Sequence, residues 1–475
     1  MSLSVLSRPA ASAETPSTER SRPVSVLHDH GDRFGRRDVF GPLAGVTGAD
    51  LDVPLVDGRS VRYANLDYAA SAPALEAVIA DQQRILPFYA SVHRGAGYAS
   101  AVSTALFEQS RTTIADYVGG RSDDLTIFTR NTTDSLNLLA GAVPNGARVV
   151  CLDIEHHANL LPWQRIGATV VTPAATLQDT LRDLEEVLAT TRPALLAITG
   201  ASNVTGEVLP IRKLAALAHR HGVRIAVDGA QLVPHRKINI AELDIDYLAF
   251  SGHKIYAPYG TGVLIGRADW LNAADPYLAG GGAVRKVTVE QTDWATGAVR
   301  HEGGTPNVLG AAALAAACRE LDRIGDDHLR RHERRLRTRL LSRLAAFDEV
   351  RVLSIWSDCP DAVGVVGFTV DGYEPGLVAA YLSAEHGIGV RDGAFCAHPL
   401  AARLGVPGGA IRASFGAGSR SEDVDRLLTA LRSLVIDGPR WSYRIVDGRW
   451  QPAADPRPAP DWITSLAAGP APCES

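Results

Sequence analysis

Tyr247-Leu-Ala-Phe250 is an unbroken apolar run that ends in Ser251-Gly-His-Lys254 and is followed by Tyr259-Gly-Thr-Gly262. An apolar run bounded by glycine turns reads as a strand buried on both faces, which belongs to a parallel sheet covered by helices. A lysine just past such a strand stands where its amine can be desolvated and made nucleophilic. Lysine is scarce in this chain: Lys213, Lys237, Lys254 and Lys286 are the only four among 48 basic residues. An ordinary lysine in a turn is a surface residue, so the weight of the reading falls on what surrounds Lys254.

Working outward, strand and helix patterns alternate. Strands are expected at 125–129, 148–154, 169–173, 194–199, 224–228, 247–251 and 262–266, the last hairpinned after the lysine. Helical patterns fall at 135–142, 158–166, 177–189 and 211–221. This is the pattern of an α/β protein with a mostly parallel sheet covered on both faces. From about 307 the character changes to two long helices (311–324 and 326–347), strands at 350–354, 363–370, 389–391 and 411–414, and helices at 376–386 and 421–435. These make a smaller α+β unit. The expected organisation is a tail over 1–40, a large domain over 41–306 whose N-terminal part contributes to the small one, a small domain over 307–437, and an appendage over 438–475. In that appendage Trp441 to Trp450 reads as a hairpin about Asp447-Gly448, followed by a Pro-rich end.

Composition excludes several classes. A chain of 475 residues with net charge −5 has no basic excess for nucleic acid. No run of about eighteen apolar residues is present, so no membrane span is expected. Cys151, Cys318, Cys359, Cys396 and Cys473 are scattered without a CxxC pair, which suggests neither a disulfide framework nor a metal site and fits a reducing cytoplasm. The first forty residues lack the apolar core of a secretory signal.

In an open α/β sheet the ligand sits beyond the carboxyl ends of the strands. Asp228 ends one strand, and Ser251, His253 and Lys254 follow another. Asn203, the pair Thr132 and Thr133, and the pair His156 and His157 follow three more. Singly, each has an ordinary structural explanation, such as a helix cap for Thr132 and Thr133. Together they suit pyridoxal 5'-phosphate, which needs a lysine, a carboxylate for its ring nitrogen, an anion cradle and a flat partner for the ring.

Residues 62–435 resemble the class V aminotransferase group of fold-type I enzymes that use this cofactor, and most closely its SUF-type cysteine desulfurase/selenocysteine lyase branch. The resemblance is carried by Leu66-Asp-Tyr-Ala-Ala70, Val92-His-Arg-Gly95, Asn131-Thr-Thr-Asp134, Glu155-His-His-Ala-Asn159, Ser202-Asn-Val-Thr-Gly206 and Val227-Asp-Gly-Ala-Gln231. It continues through Ser251-Gly-His-Lys254, Gly304-Thr-Pro-Asn307, Val390-Arg-Asp-Gly393, Cys396-Ala397 and Arg412-Ala-Ser414. It implies Lys254 as the Schiff-base lysine and Asp228 on the ring nitrogen. His156 would stack on the ring and Gln231 reach its hydroxyl, with Thr132, Thr133, Ser251 and His253 around the phosphate. Asn203, Arg412, His93 and Arg391 would face a small amino-acid substrate, Arg412 gripping its carboxylate. It also implies a homodimer in which Thr305 touches the cofactor phosphate of the other subunit.

Cys396 takes the place of the loop cysteine that, in desulfurases, receives sulfur as a persulfide and passes it to an acceptor protein. SUF-type enzymes typically show Thr-Gly-His-His before this cysteine, whereas Asp392-Gly393-Ala394-Phe395 stands here, with no imidazole next to the thiol in sequence. The expected reaction is cleavage of the C–S or C–Se bond of L-cysteine or selenocysteine, giving L-alanine. The alternative is an aminotransferase, epimerase or β-eliminating lyase acting on another amino acid.

Overall fold

The computed structural model describes residues 39–463, so nearly all of the tail expected over 1–40, and the chain end after 463, lie outside the described residues. Seven strands form the larger sheet: β1 (Asp124–Thr129), β2 (Val149–Leu152), β3 (Thr169–Val171), β4 (Leu195–Thr199), β5 (Arg224–Asp228), β6 (Tyr247–Ser251) and β7 (Gly262–Arg267). Their order is β1-β7-β6-β5-β4-β2-β3. β2 to β6 pair in parallel, while β7 runs antiparallel to both β6 and β1. The reason lies in the connection over residues 252–261, which is too short to carry a crossover helix. β4 and β6 are buried at every position, as strands covered on both faces must be. The α/β fold expected from the sequence is therefore the fold found.

The second sheet is antiparallel, formed by β8 (Val350–Val352), β9 (Val365–Val370), β10 (Arg391–Gly393) and β11 (Ala410–Ser414) in the order β8-β9-β11-β10. The helices Asp326–Leu344, Pro375–His386 and Ser421–Asp437 pack on it through Leu336, Leu340, Val378, Leu382, Leu427 and Leu431. The N-terminal segment is tied into this layer, because Ala64–Asn65 pairs in parallel with Ile388–Gly389 and Ala64 and Leu66 sit in the same core. The helix Val308–Ile324 instead shares the core of the parallel sheet through Leu314, Cys318 and Leu321. Beyond the second sheet, β12 (Tyr443–Val446) and β13 (Arg449–Pro452) pair antiparallel. Asp447 and Gly448 both have positive φ, as a type I′ turn requires.

Two differences from the sequence reading have local causes. The helix expected over 158–166 is a 3-10 turn, His157–Asn159, followed by the short helix Leu161–Arg165; Pro162 removes a backbone donor and Gly167, at φ 87°, ends the segment. The twenty-residue helix Tyr98–Tyr117 has no clear apolar period because half of its buried positions are serines, Ser100, Ser103 and Ser110. Ser103 and Ser110 satisfy their hydroxyls on the Phe88 and Leu106 carbonyls.

One close approach sets the rim of the parallel sheet. A Cβ on Gly262 would lie 2.6 Å from the Asn131 Cα and 2.7 Å from its carbonyl carbon. Glycine is what lets the start of the helix Thr132–Ala142 rest on the first residue of β7. Gly262→Ala is expected to cost about 1–3 kcal/mol through overpacking against main chain, measured as a lower denaturant midpoint. A variant as stable as the wild type would remove this steric account.

Candidate active site

A cavity of about 300 Å³ opens at the carboxyl ends of the parallel strands. Each strand end supplies part of its wall. After β1, Asn131 caps the helix Thr132–Ala142 by accepting the Asp134 N–H through its side chain, which presents Thr132 and Thr133 to the cavity. The Thr132 N–H donates to the Ser251 Oγ at 2.7 Å and the two hydroxyls meet at 2.6 Å. The helix start is thereby locked to the end of β6 through Ser251, which also lines the cavity.

Asp228, at the end of β5, is 3% exposed and accepts the Ala230 N–H at 2.9 Å. Burial pushes its pKa up, while that N–H and the Lys254 amine pull it back down. Gln231 donates through its amide nitrogen to the Ala69 carbonyl at 2.7 Å, and its Oε1 is buried at the cavity wall with no partner. Lys254 lies in the single turn that follows β6. Burial pulls its pKa down to about 8, helped by the Arg412 guanidinium and opposed by Asp228, so the amine is far easier to free of its proton than an ordinary lysine.

His156 lines the same cavity, and its Nδ1 accepts the Ala158 N–H at 3.0 Å. Burial and then the Lys254 charge hold its pKa down to about 3, so the imidazole is a neutral, flat surface with a fixed tautomer. His253, lowered to about 4 mainly by burial, is neutral too. Behind His156, Glu155 ties three elements together: it accepts from Asn159 Nδ2 at 2.6 Å and from the Thr199 N–H at 3.0 Å, while Asn159 accepts from the Trp163 indole.

The second sheet contributes Arg412, from β11, which is 4% exposed. Its Nη1 donates to the Asn203 carbonyl at 2.9 Å and its Nη2 to Asp67 Oδ1 at 3.0 Å, while Nε is buried without a partner. Asn203 reaches further, donating through Nδ2 to the Phe395 carbonyl at 2.8 Å. Phe395 in turn lies beneath the Arg412 guanidinium, 5.2 Å from ring centre to Cζ.

Cys396 sits at the tip of a tight turn. The Ala397 N–H donates to the Ala394 carbonyl at 2.9 Å, and both central residues, Phe395 and Cys396, have positive φ (55° and 53°). Bulky residues in this left-handed region are strained, and here the surroundings hold them. Asn203 grips the Phe395 carbonyl, and the His157 N–H donates to the Cys396 carbonyl at 2.8 Å. The turn thereby presents Cys396 to the cavity that holds Lys254 and Arg412. None of the other described cysteines lines this cavity: Cys151 and Cys318 are fully buried, and burial raises the pKa of both and that of Cys359.

Of the residues singled out in the sequence, Thr132, Thr133, His156, Asn203, Asp228, Gln231, Ser251, His253, Lys254, Arg391, Cys396 and Arg412 meet at this one cavity. His93 and Thr305 do not line it. His93 bonds to Glu108 through Nε2 at 3.0 Å, and Thr305 is exposed. Several working residues carried no assigned role: Asp67 on Arg412, Glu155 with Asn159, and His157 on the cysteine turn. Asp67, Glu155, His157 and Asn159 all fall inside stretches that carried the family resemblance, but only contacts across the chain reveal what they do. Although no imidazole precedes Cys396 in sequence, His157 and His398 flank the turn, stacked at 4.9 Å with Nδ1 of His398 3.0 Å from Nε2 of His157. Among the described residues no cluster of potential metal ligands occurs, and no helix is long and apolar enough to cross a membrane.

Comparison with known proteins agrees with this architecture. The family model "aminotransferase class-V" matches residues 64–427. A cysteine desulfurase of Klebsiella pneumoniae (strain 342) is 37% identical over 394 residues, covering 80% of this chain and 94% of the relative. One from Escherichia coli O127:H6 is 36% identical over 402 residues, covering 81% and 97%. Among solved structures, the apo cysteine desulfurase of Thermococcus onnurineus NA1 superposes with a TM-score of 0.74 at 33% identity, over 82% of this chain and 98% of that one. The S-sulfonic acid form of the cysteine desulfurase CsdA from Escherichia coli does so at 0.71 and 34%, over 78% and 94%. The chain belongs to the aminotransferase class-V family.

The depressed Lys254 pKa can be read directly. In the cofactor-free protein, labelling of Lys254 by an amine-reactive reagent should rise through an apparent pKa of about 8, against about 10.4 for an ordinary lysine. Peptide mass spectrometry across pH measures it. A midpoint at the ordinary value would mean that the amine is not desolvated.

Proposed function

We propose that this protein is a pyridoxal 5'-phosphate-dependent cysteine desulfurase that takes the sulfur of L-cysteine onto Cys396 and releases L-alanine. The observation that carries the reading is the convergence of Lys254, Asp228, Arg412 and Cys396, drawn from two different sheets, on one cavity. The names of the relatives support it, as does the fit of the residues to the cofactor. A buried carboxylate, an unpartnered amide oxygen on Gln231, a neutral imidazole face and a helix start bearing two threonines match the ring nitrogen, ring hydroxyl, ring face and phosphate of this cofactor.

In this reading Lys254 holds the cofactor, and Asp228 keeps its ring nitrogen protonated. His156 covers one face of the ring, and Thr132, Thr133 and His253 surround the phosphate. When bound, the cofactor supplies an electron sink for the bond-breaking at the substrate's α-carbon. Arg412 binds the substrate carboxylate, exchanging its Asp67 partner for the incoming one, with its free Nε as a further donor. The Lys254 amine, with its lowered proton affinity, takes the α-proton as general base. The Cys396 Sγ, held forward by its turn, attacks the substrate sulfur and keeps it as a persulfide. The reading extends to selenocysteine, in which selenium stands in the place of the sulfur. The reading extends to a cytoplasmic homodimer that hands its sulfur to an acceptor and in which Thr305 serves the other subunit's cofactor.

The test is turnover of the purified, cofactor-loaded protein with L-cysteine. Alanine and sulfide should form in equal amounts with a reductant present. Cys396→Ala should lower both at least about a hundredfold and leave the visible absorption of the bound cofactor intact, whereas Lys254→Ala should alter that absorption. Wild-type protein that makes no alanine from L-cysteine but transaminates, epimerises or eliminates from another amino acid would replace this reading with that of a sibling reaction.

A further inference from the structure

A second cavity, of about 700 Å³, adjoins the first and shares Arg391, Phe395 and Cys396 with it. Part of its wall is the C-terminal hairpin, through Ile445, Arg449 and Trp450, and this segment falls outside the residues 64–427 that match the family model. The hairpin is fastened in place. The Trp450 indole donates to Glu374 at 3.0 Å, and the Tyr443 hydroxyl and the Trp441 N–H both donate to Glu385. Trp450 also lies so close to Gly376 that a Cβ there would meet its ring at 2.9 Å.

Arg391 and Arg449 both line the cavity, and among the described residues neither makes a hydrogen bond or ion pair with a carboxylate; Asp392, also at the wall, has no cationic partner. Unpaired charges of both signs around one cavity are complementary to a ligand that carries both carboxylate and ammonium groups. The volume suits a whole small molecule.

We propose that this second cavity is an acceptor chamber for the sulfur carried by Cys396, and that it takes a zwitterionic low-molecular-weight thiol of about tripeptide size. This rests on the desulfurase reading. The acceptor's carboxylates face Arg391 and Arg449, its ammonium faces Asp392, and its thiol meets Cys396 from the side opposite the substrate. The incoming thiolate attacks the outer sulfur of the Cys396 persulfide. One S–S bond forms as the bond to Cys396 Sγ breaks, and the proton lost by the acceptor thiol ends on Cys396. The product is the acceptor's own persulfide, and no outside oxidant or reductant is consumed.

Isothermal titration of the cofactor-loaded, full-length protein with S-methylglutathione, which cannot react, tests the chamber by itself. Saturable binding is expected, weakened about tenfold by Arg449→Gln and unchanged by Arg444→Gln, an exposed position on the same hairpin that does not line the cavity. With L-cysteine as donor, mass spectrometry should then find glutathione persulfide forming faster than the persulfide of 2-mercaptoethanol at equal concentration. Absence of saturable binding, undiminished binding by Arg449→Gln, equal transfer to the neutral thiol, or sulfur appearing only on added protein thiols would each overturn the proposal. If alanine still forms from L-cysteine in those cases, the desulfurase reading stands without the chamber. Saturable binding with no alanine formed removes that reading and the acceptor role with it.

Discussion

The amine of Lys254 is buried in one cavity with the carboxylate of Asp228 and the guanidinium of Arg412, and its proton affinity is set by burial and by those two charges. Desolvation lowers the proton affinity of the amine, and the guanidinium pushes the same way. The carboxylate opposes both and leaves the proton affinity near physiological pH. Asp228 and Lys254 come from adjacent parallel strands, so their spacing is set by the ladder between β5 and β6. Arg412 comes from the antiparallel sheet, so its distance from them depends on how the two sheets are joined.

That join is made by a few polar contacts at the cavity itself. Arg412 donates to the Asn203 carbonyl and to Asp67, Asn203 donates to the Phe395 carbonyl, and the His157 N–H donates to that of Cys396. Each contact links a residue following a parallel strand, or the N-terminal segment, to the second layer. They also explain how Phe395 and Cys396 keep a left-handed backbone without glycine: carbonyls gripped from outside hold the turn in a conformation that the two residues alone would avoid. The Asp392-Gly393-Ala394-Phe395 stretch, which departs from the usual histidine pair, therefore places an aromatic ring under Arg412 and leaves the imidazoles to His157 and His398, outside the turn.

Much of the fold was legible because the strands of a doubly covered sheet are continuous apolar runs, and Tyr247-Leu-Ala-Phe250 or Leu195-Leu-Ala-Ile198 can hardly be anything else. The long helices Asp326–Leu344 and Ser421–Asp437 were legible through their spacing. The helix Tyr98–Tyr117 was not, because it buries serines whose hydroxyls bond to main chain, and a hydrophobic period cannot register them. The segment over 158–166 misled for the opposite reason: its apolar residues suit a helix, and Pro162 breaks it.

By itself the sequence determined the α/β class, the strand ends that carry polar residues, and the identity of Lys254, Asp228, Arg412 and Cys396 as the groups worth bringing together. The class, Asp228 and Lys254 follow from residue type and local spacing, which a strand or a turn expresses without help from distant chain, whereas Arg412 and Cys396 were picked out by the family resemblance of the stretches that hold them. Only the tertiary structure decided that His93 and Thr305 lie away from the cavity formed within this chain, that Asp67 occupies the arginine, and that the C-terminal hairpin walls a second cavity against Cys396. Those relations join residues from about fifty to more than three hundred positions apart, and they exist only once two sheets are packed and their buried polar groups have found partners.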